Sequence, residues 1–477
     1  MRPQILDVLA DRYASTAMLN IWSAEAKVIM ERELWITVLK AQTELGLGHL
    51  VHKDAVTAYE SVVLRVDLES MRQRELKTRH DVKARIEEFC ALAGHEHIHM
   101  GMTSRDLTEN VEQMQARRAL KLTHQKIIAV MGRLARRATE YSALPMAGRS
   151  HNVAAQMTTL GKRFATAAEE LRQAFLRTDH CMVNYPLRGM KGPVGTQQDM
   201  LDLFDGDQEK VIELERQVAE HLGFEFTLTS VGQVYPRSLD FDVLSTLVQV
   251  AATASSFATT IRLMAGQELV TEGFKEGQVG SSAMPHKMNA RSSERICGFY
   301  HVLRGFLAMI EGPAGSQWNE GDVSCSVVRR VAIQGAFFAI DGLLETYLTV
   351  LDEFGVYPAM IEREIQRYLP FLATTKILMA AVKAGMGRET AHECIKKHAT
   401  ASALQMRADG VDENPLLQNL GDDPGFPLDA VELREAIGTP VMFVGTAQQQ
   451  VSDVVGRIQA LLDEYPDAAC YQPEPIL

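Results

Sequence analysis

Several things are scarce in this 477-residue chain, and each scarcity excludes a class of protein. Six cysteines stand at 90, 181, 297, 325, 394 and 470 with no C-x-x-C pair, so neither a disulfide framework nor a zinc pattern is legible, and they are expected to be reduced core thiols. Positive charge is short: 49 Lys and Arg face 61 Asp and Glu, for a formal net charge of -12. That balance argues against a protein whose work is to neutralise phosphate backbone, so no nucleic-acid partner is expected. No window nears 18 uninterrupted apolar residues, and the N-terminal MRPQILDVLADRYAST lacks the apolar core and cleavage site of a signal peptide. A cytoplasmic protein with no membrane partner is the expectation. Strand-like alternation is sparse, FEFTLTS at 224–230 being one short case. The basic run RLARRATE at 133–140 reads as a solvated helix face.

What is present is helical periodicity. Apolar residues make up 46% and charged residues 23%, ordinary values for a globular chain long enough for about three units. Leu239, Val243, Leu247, Val250, Ala254, Phe257, Ile261 and Met264 form one stripe of a long helix. A second helix is predicted from about Ser326 to Phe354, where Phe337, Ile340, Leu344, Tyr347 and Leu351 repeat the spacing and Gly355 with Pro358 ends it. A third long helix is predicted over 111–142, ending before Pro145. Such helices need neighbours of similar length to bury their stripes, so the fold class expected is all-α, with a central long-helix bundle. The predicted division is an N-terminal helical domain at 1–111, the bundle at 112–364 and a C-terminal helical domain at 365–477. Proline, glycine and aspartate make 413–429 a loop, and the tail after Tyr465 is expected to be poorly ordered.

One stretch breaks the helical pattern: GQVGSSAMPHKMNARSSE, residues 277–294. Glycines at 273, 277 and 280 allow a pliant lead-in, Ser281 and Ser282 follow, and Pro285 fixes the exit. His286, Lys287 and Asn289 supply donors, and Ser292 or Ser293 would cap the next helix. By composition alone a plain surface loop fits as well. Elsewhere, Thr103 and Asp106 have the spacing of a capping box, and a capped helix start presents free N–H groups that can hold a carboxylate.

The run Gly280-Ser281-Ser282-Ala283-Met284-Pro285-His286-Lys287-Met288-Asn289 resembles the signature loop of the fumarase/aspartase superfamily. TRHDVKA (78–84), HMGMTSRDLTEN (99–110), GRSHNVAAQMTTLGKR (148–163), RGMKGPVGTQQDML (188–201) and GQVYPR (232–237) are similar, in the same order, to segments of the adenylosuccinate lyase family. The resemblance runs from RYAS at 12–15 to LPFLATTKILMAAVKAGMGR at 369–388. It implies a three-domain all-α homotetramer, active sites shared between subunits, small succinylated purine nucleotides as substrates, and a β-elimination of fumarate with no cofactor and no metal.

Such an elimination needs a base for the proton beside a carboxylate, stabilisation of the doubly charged aci-carboxylate, and an acid for the departing nitrogen. The resemblance makes Ser281 the base, ionised with help from backbone N–H groups and Lys287, while Lys287 and Asn289 grip the succinyl carboxylate. It makes His151 the acid, oriented by Glu294, and places His80 near the substrate phosphate with Arg79 and Asp81 beside it. Thr103, Ser104, Gln233, Ser282, Met284, Arg295, Ser326 and Arg330, with Arg12 and Tyr13, complete the implied substrate contacts; His99 shares the motif of Thr103.

The chain departs from the family in places. GRSH replaces the usual GRTH, Ala290 replaces a frequent proline, and Gly321 stands where many relatives carry a phosphate-holding arginine, leaving open whether a cation such as Arg329 compensates. Fumarase, aspartase and argininosuccinate lyase share the serine loop but would not need TRHDV or SVGQVYPR. A cycloisomerase of the superfamily and an inactive structural homologue also remain open at this point.

Overall fold

Short polar side chains mark where helices begin. Asp7, Ser15, Ser23, Asp67, Asp207 and Asp429 each accept from a first-turn backbone N–H, supplying partners for donors that a helix start leaves orphaned. The structure, a computed structural model, describes residues 7–273, 284 and 286–475.

Six helices precede the bundle: α1 (Val8–Arg12), α2 (Thr16–Trp22), α3 (Ala24–Glu44), α4 (Ala55–Val62), α5 (Leu68–Thr78) and α6 (Asp81–Ala93). The bundle is built from α7 (Ser104–Glu140), α8 (Leu160–Val183), then the short α9 (Gln198–Leu203) and α10 (Gln208–His221), and the long α11 (Ser238–Gly266), α12 (Arg291–Ala314) and α13 (Cys325–Glu353). After it come α14 (Pro358–Leu372), α15 (Thr374–Lys383), α16 (Arg388–Asp409), α17 (Leu416–Gly421), α18 (Ala430–Ile437), α19 (Ala447–Glu464) and α20 (Pro466–Ala469). The expected divisions at 111 and 364 thus fall inside the continuous helices α7 and α14.

At 37 residues α7 is about 55 Å long, and it packs on α8, α13 and α19. α11 lies chiefly against α12, and α12 against α13. Buried residues surround α13, among them Phe337, Phe338, Ile340, Leu343, Leu344 and Tyr347, which makes it the bundle's centre. α11 is apolar and long enough to cross a membrane by composition, but its stripe from Val243 to Met264 is spent on α8, α12 and α13.

Several expectations need correcting. Residues 145–159 form a hairpin, β1 (Pro145–Ser150) with β2 (Val153–Thr159), turned by His151 and Asn152 at φ 50° and 61° and bulged at Gly148/Arg149. Two consecutive left-handed residues suit the twist of a two-residue hairpin turn. FEFTLTS contributes only an isolated bridge between Thr227 and Leu187. The 413–429 stretch contains α17, and the described part of the tail, to residue 475, is ordered: it forms α20, and Tyr471 and Glu474 bond to the bundle. RLARRATE is no solvated face, because Arg133 reaches the Tyr471 carbonyl (2.5 Å) and Arg137 the carbonyls of Leu351 and Asp352 (2.8 and 2.9 Å). Of the cysteines, 297 and 325 are buried, whereas Cys470 is exposed.

Candidate active site

The N-terminus of α7 is organised by one buried carboxylate. Asp106 closes the expected capping box by accepting from the Thr103 N–H (2.8 Å) through one oxygen. Its other oxygen accepts from Arg188 (2.6 Å) and from the backbone N–H groups of Lys191 (2.9 Å) and Gly192 (3.0 Å). Arg188, fully buried, also donates to the Gly192 and Gly232 carbonyls, at 2.9 and 3.0 Å. The helix start bearing half-buried Thr103 and Ser104 is therefore held against the segment bearing Gln233. The Gln233 N–H donates to the Glu320 carbonyl (2.6 Å), one residue before Gly321.

Below this lies a layer of paired charges. Arg237 bonds Glu109 (2.8 Å); Arg329 bonds Asp240 (2.6 Å) and Glu112 (2.5 Å) and donates to the Tyr235 hydroxyl. Burial opposes ionisation of Glu112, but Arg329 and Lys27 overcome it and lower its pKa to about 2. Arg329 is thus committed to its own counter-ions and does not replace an arginine at 321. The structure also explains the glycine: Gly321 has φ 128°, and an added Cβ would meet Val234 Cγ2 at 2.7 Å.

His80 and its neighbours gather nearby. His80 is the N-cap of α6, its Nδ1 accepting from the Lys83 N–H at 3.3 Å, so the neutral ring carries its proton on Nε2, and it is exposed. Burial acts to raise the Asp81 carboxyl, but Arg85, the Val82 N–H, His80 and Arg330 outweigh it and hold the group below the usual carboxylate range. Arg79 caps α5 with left-handed backbone at φ 53° and is exposed, as is Arg330 on α13; Ser326, in the first turn of α13, is half-buried. His99, also left-handed at φ 67°, accepts from Trp35 Nε1–H at Nδ1 (3.0 Å). Its pKa falls to about 4 through burial, which Asp106 only partly offsets.

A second group joins the first helix to α12. The Tyr13 ring packs edge-on against Phe299 (5.1 Å between centroids), and the Arg295 guanidinium stands over the Tyr13 ring at 5.4 Å. Arg12, on the last turn of α1, is exposed. A third group surrounds the start of α12: Met284, Lys287 and Glu294 are exposed and Asn289 is half-buried. The expected serine cap is absent here. α12 starts at Arg291, and the N–H groups of Ser292 and Ser293 are taken instead by Glu272, at 2.7 and 2.8 Å. Ser281 and Ser282 lie outside the described residues.

His151 is exposed at the hairpin tip, beside a groove of about 510 Å³ whose lining includes Arg149, Asn152, Lys162 and Arg163. Among the described residues its side chain makes no hydrogen bond or ion pair, so a single chain does not join His151 to Glu294. One fold contact unforeseen from the spacing lies elsewhere: Cys394, His398 and Asp423 bring ligand atoms within 4.8 Å. His398 and Asp423 already satisfy each other at 2.7 Å.

Asp106, Glu109, Arg188 and Arg237 were not singled out from the sequence as site residues, although RDLTEN, RGMK and VYPR contain them. Their signal was charge inside motifs that otherwise read as substrate contacts.

Residues 6–305 match the family model described as Lyase, and residues 370–454 match Adenylosuccinate lyase C-terminus. The chain is 37% identical over 455 residues to adenylosuccinate lyase from Saccharomyces cerevisiae, covering 94% of this chain and 93% of that protein. It is 29% identical to the adenylosuccinate lyase of Archaeoglobus fulgidus, covering 94% and 98%. In fold it is similar to 3-carboxy-cis,cis-muconate lactonizing enzyme from Pseudomonas putida, with a TM-score of 0.80 at 19% identity over 95% of this chain and 99% of the other. Fumarate lyase from Mesorhizobium sp. BNC1 gives 0.77 at 19% identity, over 95% and 100%. With both family models matched in order and near-full-length identity of 37%, the chain belongs to the adenylosuccinate lyase family, a family of lyases on the all-α fold of the fumarase/aspartase superfamily.

Proposed function

We propose that the chain eliminates fumarate from adenylosuccinate, giving AMP, and from succinylaminoimidazole carboxamide ribotide, giving the aminoimidazole carboxamide ribotide, in purine biosynthesis. The observation that carries the choice of substrate is the match of residues 370–454 to the C-terminal region of this lyase, alongside the match of residues 6–305 to the Lyase model. The 19% identical cycloisomerase-type neighbour shares the fold alone.

In this reading Ser281, as alkoxide, takes the proton from the carbon beside the succinyl carboxylate. The electron pair then delocalises into an aci-carboxylate, which Lys287, Asn289 and the N–H groups at Thr103 and Ser104 stabilise. The carbon–nitrogen bond breaks as protonated His151 delivers a proton to the leaving nitrogen. Glu294 orients His151, Met284 and Ser282 shape the loop side, and Gln233, Arg295 and Ser326 hold the substrate. Arg12, Tyr13, Arg79, His80, Asp81 and Arg330 serve the nucleotide end. Asp81, held ionised, stands 3.8 Å from the His80 ring at the same end.

We further propose a cytoplasmic homotetramer with shared sites. The exposed His151, which has no hydrogen bond or ion pair to Glu294 among the described residues, supports it, as do apolar side chains facing outward on and between α12 and α13: Val302, Met309, Trp318, Val327 and Val331. The test is to supply purified protein with adenylosuccinate and follow fumarate. Ser281→Ala and His151→Ala are each expected to abolish turnover with tetramers intact. Random hybrids of the two should regain about a quarter of wild-type activity, the chance that a site draws both intact residues from different chains. Intact wild-type tetramers without turnover would favour a structural homologue, and hybrids that stay inactive after confirmed exchange would refute shared sites.

A further inference from the structure

The two chain ends meet at one buried ammonium. Lys126 of α7 has no exposed surface and faces two equally buried carboxylates of α13, Asp341 by direct contact and Glu345 at 2.7 Å. One positive charge does not satisfy four carboxylate oxygens, so further donors are required. Those for Asp341 come from the N-terminal segment: the Ser15 N–H donates to it at 2.6 Å, and Lys126 also donates to the Ser15 hydroxyl at 2.9 Å. Those for Glu345 come from the C-terminal tail, through the Tyr471 hydroxyl (2.5 Å) and the Glu474 N–H (2.6 Å). The Tyr471 ring also lies under the Lys126 ammonium at 5.3 Å. The tail then returns to the N-terminal segment, because the Glu474 carboxylate accepts from both the N–H and the hydroxyl of Thr16, each at 2.9 Å.

Ser15 and Thr16 follow Arg12 and Tyr13 with only Ala14 between, and Tyr13 itself lies against α13 at Gly342, where an added Cβ would meet the Tyr13 Cβ at 2.8 Å. We propose that residues 471–474 are positioning residues for the nucleotide-binding end of the site: through Glu345 and Thr16 they fix where Arg12 and Tyr13 are presented. This rests on the assignment of Arg12 and Tyr13 to substrate given above. Tyr471 and Glu474 touch no substrate in this scheme. They act by adding a hydrogen-bonded hold to a segment that α1, with only five residues, none of them fully buried, secures only through partly buried contacts of Leu9, Ala10 and Tyr13.

The experiment is steady-state kinetics on the full-length tetramer with adenylosuccinate, together with AMP binding by calorimetry. Glu474→Ala is expected to raise KM about fivefold and to weaken AMP binding in parallel, with kcat within about twofold, as loss of a binding contact requires. Glu474→Gln, which keeps an acceptor oxygen, should restore most of the KM. In an Arg12→Ala background the Glu474→Ala change should add little, since the residue it positions is gone. A chain ending at Cys470 should show the larger KM effect; should it fail to fold, the point variants carry the test. An unchanged KM in Glu474→Ala, or an equal KM rise with and without Arg12, would overturn the proposal. Wild-type protein without turnover would instead sink the lyase reading.

Discussion

Replacing Asp106 with Asn keeps the shape of the side chain and removes its charge, which makes it a direct test of what holds the start of α7. The carboxylate accepts four donors, from Thr103, Arg188, Lys191 and Gly192, with no exposed surface. An amide has one acceptor oxygen. Whichever way it turns, its NH2 faces at least one of those donors, and the Arg188 guanidinium loses its buried counter-ion. Breaking a buried pair from one side costs about 3–5 kcal/mol. Because much of that cost is the stranded charge of Arg188, Asp106→Asn with Arg188→Met should be less destabilised than the sum of the single variants by about 2–3 kcal/mol. Urea unfolding at fixed protomer concentration measures the stability terms, and KM for adenylosuccinate reports the displacement of Thr103 and Ser104. A loss below about 1 kcal/mol for Asp106→Asn, or strict additivity in the double variant, would refute the claim that a desolvated charge pair anchors this helix start.

Other outcomes follow from the same geometry. Gly321→Ala should lower stability by about 1–3 kcal/mol, read as a lower melting temperature, because the residue must keep φ 128° and its Cβ meets Val234; Gly321→Arg should be no better and should not lower KM. His99, with a folded pKa near 4 against an ordinary value near 6.5, binds more protons unfolded than folded between those limits. Stability should therefore fall as pH drops through that window, by about 3 kcal/mol from this group, and His99→Gln should flatten that part of a pH–stability profile.

The hairpin shows why some of the architecture escaped the sequence. Its strands carry GRS and VAAQMTT, with little apolar alternation, because β1 and β2 pair with each other at the bundle surface and only parts of each face inward. Pairing, rather than a buried stripe, makes the structure, and pairing leaves little trace in composition. The C-terminal tail escaped for the opposite reason. Its prolines read as disorder, whereas its order comes from Tyr471 and Glu474 reaching Glu345, more than a hundred residues away in sequence.

By itself the sequence determined the helical class, the extents of α11 and α13 to within a residue or two, the Thr103–Asp106 box and the membership of the family. These are local or periodic properties: each is set by neighbours within a few turns. Only tertiary structure decided that Arg188 and Asp106 form one buried pair, that Arg329 is spent on Asp240 and Glu112, and that both chain ends converge on Lys126. The physical reason is that a charge becomes structural when folding removes its water, and which opposite charge then stands beside it depends on segments far apart along the chain.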